Sequence, residues 1–159
     1  MVTPELLYQY PFFRFMKKSQ LKAVARLAKE KVFESGEMIF REGAHADWLY
    51  ILVKGSVDLF FTLNIPSRPE LNKELQFGVV RPGEVFGISA LIEPYQLTSS
   101  ARASRPSQVI MIEAAGLIAL CNRDDKLAYE FIRQIAKATM ERVEATRQQL
   151  AIARAMVRS

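Results

Sequence analysis

The stretch Phe86-Gly87-Ile88-Ser89-Ala90-Leu91 has the outline of a phosphate-holding turn. A glycine ends a strand-like run, and a short helical segment follows. Backbone N–H groups at such a start converge on one point and suit an anion. Further along, Leu97, Thr98 and Ser99 lead through Ser100 into Ala101-Arg102-Ala103. The hydroxyls of Thr98, Ser99 and Ser100 donate hydrogen bonds but bring no positive charge. The chemistry available here is binding, by backbone amides and hydroxyls.

Catalysis and metal binding have little material. His45 is the single histidine and Cys121 the single cysteine. One of each builds neither a His-based metal centre nor a cysteine zinc cluster, and no internal disulfide can form. No nucleophile-and-base set has an evident pair of partners. His45 reads as a loop residue and Cys121 as a small buried apolar group. No catalytic residue, metal site or resident cofactor is expected.

The chain has 159 residues, half of them apolar and a quarter charged. That suits one globular domain plus an extension. The net charge is +5, but the basic residues are scattered and no Arg/Lys stripe alternates with aromatics. Direct nucleic-acid binding is therefore not expected. No apolar run is long enough to span a membrane, and the N-terminus lacks the pattern of a signal peptide. A cytoplasmic location is the expectation.

These residues must be positioned by a helix–strands–helix order. Tyr10-Pro11-Phe12-Phe13 reads as an aromatic core anchor. Ser19 is the expected N-cap of a helix with Leu21, Val24, Leu27 and Ala28 on one face. From about Val32 to Glu113, short apolar runs such as Trp48–Val53 and Val109–Ile112 are bounded by turns such as Lys54-Gly55-Ser56 and Arg81-Pro82-Gly83-Glu84. Many short strands at this spacing predict a sandwich or barrel. Ile65 to Lys73, with Pro66 and Pro69, reads as an exposed hairpin loop. A short helix is expected over Ala114 to Cys121. Asp124 and Asp125 then favour the start of a helix of roughly 30 residues.

That last helix carries two stripes. Leu127, Phe131 and Ile135 step by four and suit packing on the β domain. Tyr129, Ile132, Ala136, Thr139, Val143, Thr146, Leu150, Ala153 and Val157 alternate three and four apart, the spacing of a coiled-coil seam. A β region of this size cannot easily cover so long a helix, so a partner helix and a homodimer are expected. The division is a domain over residues 1–122 and a pairing helix over 123–159.

The ordered pieces Phe33–Gly43, Asp47–Val57, Pro82–Gly87 and Ala101-Arg102-Ala103 together resemble the cyclic-nucleotide-binding domain of the catabolite-activator and kinase regulatory-subunit superfamily. Coverage runs from about Phe12 to the middle of the last helix. The resemblance implies a mainly β fold of the α+β class. Its centre is an eight-stranded jelly-roll barrel, with an N-terminal helix and a long C-terminal helix that often dimerises. It also implies that the turn after Phe86-Gly87 opens the phosphate site, lined here by Phe86, Gly87, Ile88, Ser89, Ala90, Leu97, Thr98 and Ser99.

In the family, a Glu directly after the glycine binds the ribose hydroxyl, and an Arg near the loop's end pairs with the phosphate. Here the Glu position holds Ile88. Counting back from Ala101-Arg102-Ala103 puts the Arg position at Leu97, or at Thr98 with another gap. Hydrogen bonds to charged groups are worth roughly 1.5–3 kcal/mol each. Losing both weakens binding on the order of a hundred- to ten-thousand-fold. Arg102, on an alternating strand, is expected to point away. Leu91 and Ile92 are expected to pack near Leu117-Ile118, Leu127 and Phe131.

The expected function is a non-enzymatic regulatory or sensor domain, with a degenerate pocket that does not hold cyclic AMP or cyclic GMP tightly. Two alternatives are a weak or atypical cyclic-nucleotide sensor, using backbone contacts with Thr98 and Ser99, and the sensor half of a Crp/Fnr-like transcription regulator without its DNA-binding domain. A cyclic nucleotide or another small ligand would be the occupant. A cupin-type enzyme would need several histidines.

Overall fold

The computed structural model describes residues 1–158. Helices α1 (Pro4–Tyr8), α2 (Lys18–Arg26), α3 (Ala114–Arg123) and α4 (Asp125–Arg158) flank eight strands. The strands are β1 (Ala28–Phe33), β2 (Met38–Phe40), β3 (Trp48–Lys54), β4 (Val57–Leu63), β5 (Lys73–Val80), β6 (Val85–Phe86), β7 (Ser100–Ala103) and β8 (Ser107–Glu113). They form two four-stranded sheets, ordered β1-β8-β3-β6 and β2-β7-β4-β5, with antiparallel pairing throughout. The expected jelly roll is thus two facing sheets rather than one continuously bonded barrel.

The apolar runs fit this arrangement because β3 and β8 of the first sheet are buried on both faces. Leu49 and Ile51 of β3, with Ile110 and Ile112 of β8, join a cluster with the helical residues Phe13, Leu117 and Phe131. Their neighbours Tyr50, Leu52, Val109 and Met111 point the other way, into the space between the sheets. Alternate side chains leave opposite faces of a strand, so a strand buried on both sides is apolar throughout. At the β3–β4 turn Gly55 has φ +107, and an added Cβ would lie 2.7 Å from the Pro106 carbonyl oxygen. Only glycine fits that turn.

Two expectations at the N-terminal end need correction. α2 is capped at Lys17 rather than Ser19. The Gln20 side-chain oxygen accepts the Lys17 N–H at 2.8 Å, so the side chain three residues into the helix closes its start. The helix also ends at Arg26, and Ala28 opens β1 opposite Ile112. Leu21 and Val24 are buried as expected, but Leu27 and Ala28 belong to the turn and the strand. The Ala28-Lys29-Glu30-Lys31 run has no apolar alternation, and its backbone pairing with β8 makes it a strand.

The proline-containing segment Ile65 to Lys73 closes the β4–β5 hairpin, with one 3-10 turn at Pro69–Leu71. α3 and α4 occupy the expected places. Asp124 joins them: its Oδ1 accepts the Leu127 N–H at 3.1 Å, and its Oδ2 accepts from Gln20 Nε2 at 3.2 Å. The Leu127 N–H, first among several contacts, holds the Asp124 carboxyl below the usual aspartate range.

Candidate functional site

Gly87 sets the geometry of the turn. It adopts φ +71, and a Cβ there would lie 2.9 Å from the Tyr50 ring. That ring stacks on Phe86 at 5.0 Å between centroids. A short 3-10 turn, Ile88–Leu91, follows. Burial first, and the Asp47 charge second, push the Tyr50 hydroxyl up to about 12. Tyr50 therefore stays neutral at ordinary pH and serves as a packing plate under the turn.

The turn opens onto a cavity of about 170 Å³. One wall is Val85, Phe86, Gly87, Ile88 and Ser89, and a second is Leu97, Thr98 and Ser99. Phe40, Leu59 and Phe77 close the side formed by the second sheet. The remaining wall comes from α4: Ala138, Thr139, Arg142 and Val143. Apart from Ala90, every residue that the sequence assigned to the site lines this cavity. Ala90 sits behind it, buried in a small cluster with Ala46, Leu97 and Ala114.

Ile88 and Leu97 are used as packing groups. Ile88 lies against the helical cluster that contains Phe131 and Ile135, and so does Leu91. Ile92 departs from expectation: it is 45% exposed, because the chain leaves the 3-10 turn there in extended form. Leu97 is buried and tied at both backbone ends, its N–H to the Ala44 oxygen at 2.9 Å and its oxygen to the Gly43 N–H at 2.7 Å. Arg102 points away from the cavity as expected. Its guanidinium meets Glu74 at 3.3 Å and stacks over the Phe60 ring.

The stripe assigned to a partner helix has a double character. Tyr129, Ile132, Val143, Leu150 and Val157 are exposed in the single chain. Thr139 and Val143 also line the cavity, a role that the seam reading did not foresee. Arg142 was missed altogether. The signal for it was present, since continuing the buried steps Leu127, Phe131 and Ile135 by three or four gives Ala138, Thr139 and Arg142.

A family model described as the cyclic nucleotide-binding domain matches residues 30–124. The chain belongs to this family. A solved structure of a candidate cyclic nucleotide-binding protein from Geobacter metallireducens is 36% identical, with a TM-score of 0.78 over 90% of this chain and 99% of that one. The catabolite activator protein of Thermus thermophilus shares the fold at 21% identity and a TM-score of 0.67, over 89% of this chain and 63% of that one. A CRP-like cAMP-activated global transcriptional regulator of Mycobacterium tuberculosis is 23% identical over 84% of this chain. The match spans 57% of that regulator's length.

The cyclic nucleotide-binding domain therefore presents its cavity where the sequence placed the phosphate turn, with uncharged side chains at Ile88, Leu97 and Thr98. No helix among the described residues is long and apolar enough to cross a membrane.

Proposed function

We propose that this cyclic nucleotide-binding domain is a non-enzymatic regulatory module whose pocket does not hold cyclic AMP or cyclic GMP tightly. One observation carries the reading. The cavity walls nearest the turn are formed by Ile88 and Leu97, both engaged in apolar packing. The residue set supports the absence of catalysis. His45 is exposed with its ring nitrogen 2.8 Å from Asp47, and no group of three His, Cys, Asp or Glu side chains among the described residues is arranged to hold a metal. Residues 1–122 supply the ligand domain. Residues 123–159, of which Ser159 lies outside the described residues, supply the segment whose helix pairs with a second copy, and the exposed Tyr129, Ile132, Val143 and Leu150 support that pairing.

Calorimetric titration with cyclic AMP and cyclic GMP tests the pocket. The expected result is no binding at micromolar concentrations, and a dissociation constant of about 1 μM or tighter would overturn the reading. Ile88→Glu with Leu97→Arg should restore measurable affinity. Ile88→Glu with Thr98→Arg covers the other gap and spares the buried Leu97 site.

A second reading, the sensor part of a Crp/Fnr-like regulator, is favoured by the match to just over half of the Mycobacterium regulator. Cyclic-nucleotide-dependent control of transcription by the natural protein would establish it.

A further inference from the structure

The charge that the turn lacks is present across the cavity. Arg142 of α4 is the one charged side chain in the lining among the described residues. It is half-buried, and no carboxylate among the described residues forms an ion pair with it. Its side chain donates none of the hydrogen bonds found. β5 leaves room for it: Arg142 Nη1 stands 3.5 Å from the place a Cβ would occupy at Gly78. The guanidinium shares the cavity with carbon walls formed by Phe40, Leu59, Phe77 and Phe86. A charge held partly out of water without a counter-charge is unfavourable. An anion bound there would supply the counter-charge, with a charge-assisted hydrogen bond.

We propose that the cavity takes a small organic anion, with an apolar body against Phe40, Leu59 and Phe86 and its anionic oxygens on Arg142. Thr98 and Ser99 line the same space, and their hydroxyls are further donors for such a ligand. Thr139 contributes little, because its hydroxyl already donates to the Ile135 oxygen at 2.8 Å. The cavity of about 170 Å³ is near the roughly 150 Å³ that accepts a benzene ring, and below the roughly 300 Å³ where drug-sized pockets begin. One ring or a short chain bearing a carboxylate or phosphate fits that size. The inference rests on the regulatory reading of this cavity and adds the class of its ligand and the residue that selects it.

The test is calorimetry on the whole chain with benzoate, phenyl phosphate, benzyl alcohol and inorganic phosphate, each against wild type, Arg142→Gln and Arg142→Lys. Benzoate or phenyl phosphate should bind the wild type about tenfold or more tighter than benzyl alcohol. Arg142→Gln should erase that preference while leaving benzyl alcohol unchanged, and Arg142→Lys should keep part of it. An unchanged melting midpoint shows that the variants are folded. Equal binding of benzoate and benzyl alcohol would overturn the proposal, as would an unaffected Arg142→Gln variant or no binding of any probe at about 10 mM. Inorganic phosphate binding as tightly as phenyl phosphate would overturn the apolar-body requirement. The cyclic-nucleotide titration is separate: micromolar binding of cyclic AMP ends the reading of a pocket that does not hold cyclic nucleotides tightly, whereas this proposal stands or falls on the ring series.

Discussion

The two halves of α4 have the same local chemistry and opposite surroundings. In the first half, Leu127, Phe131 and Ile135 are buried at 4%, 1% and 5% exposure. In the second, Val143, Leu150, Met156 and Val157 are all more than half exposed. Both halves are uninterrupted helix. The difference lies in what faces them. The first half meets the aromatic anchor, with Phe13 and Phe15 edge-on to Phe131 at 6.3 and 5.2 Å. The second meets no such anchor among the described residues, and residues 143–158 are exposed throughout. Helical propensity alone does not tell a helix that belongs to a core from one that continues beyond it; the neighbours decide.

The sharpest way to break this contrast is Phe131→Ala. The ring fills a site shared by Phe12, Phe13 and Phe15, so the variant should lose about 3–5 kcal/mol of unfolding free energy in urea denaturation. A loss below about 1 kcal/mol would show that the first half of α4 is not anchored as described.

In the second half, Leu150→Glu with Val157→Glu should leave the melting midpoint of the folded unit nearly unchanged. By placing like charges along both helices, the pair should convert the expected dimer to monomer. Light scattering at tens of micromolar protein, a range suited to modest interfaces, reads the outcome. A monomeric wild type would remove the pairing proposal and leave the exposed stripe without a role.

The smallest effect sharpens the junction. Asp124→Ala removes the acceptor of the Leu127 N–H and should lower the melting midpoint modestly at neutral pH. The carboxyl is held below its ordinary value in the folded state, so its contribution is complete above the usual aspartate range. It fades as pH falls through the lower folded value. Midpoints of wild type and Asp124→Ala should therefore converge in acid, and a constant gap would rule out the charged form as the cap.

Much of this fold was legible because its elements obey local rules. The doubly buried β3 and β8 are apolar at consecutive positions, and glycines such as Gly55 mark turns that no other residue fits. β1 was not legible at its start. Ala28-Lys29-Glu30-Lys31 favours a helix by propensity, and only the ladder to β8 overrides it. The candidate site was half legible. The turn and Leu97–Ser99 are near one another in sequence and announce themselves by glycine and hydroxyl residues. Arg142 lies far along the chain: the buried steps of α4 lead to its face of the helix, but which strand and turn that face meets depends on how α4 crosses β5.

The wall that α4 gives to the cavity is one continuous rod with the exposed turns beyond it. A helix of 34 residues is about 51 Å long at 1.5 Å per residue. Its anchor at Leu127–Ile135 acts as a fulcrum, and Ala138–Val143 is the first span beyond it. A pull or twist applied at the far turns would be carried to Ala138–Val143 before it reached Leu127–Ile135, so the cavity wall stands between whatever α4 meets beyond the fold and the aromatic core.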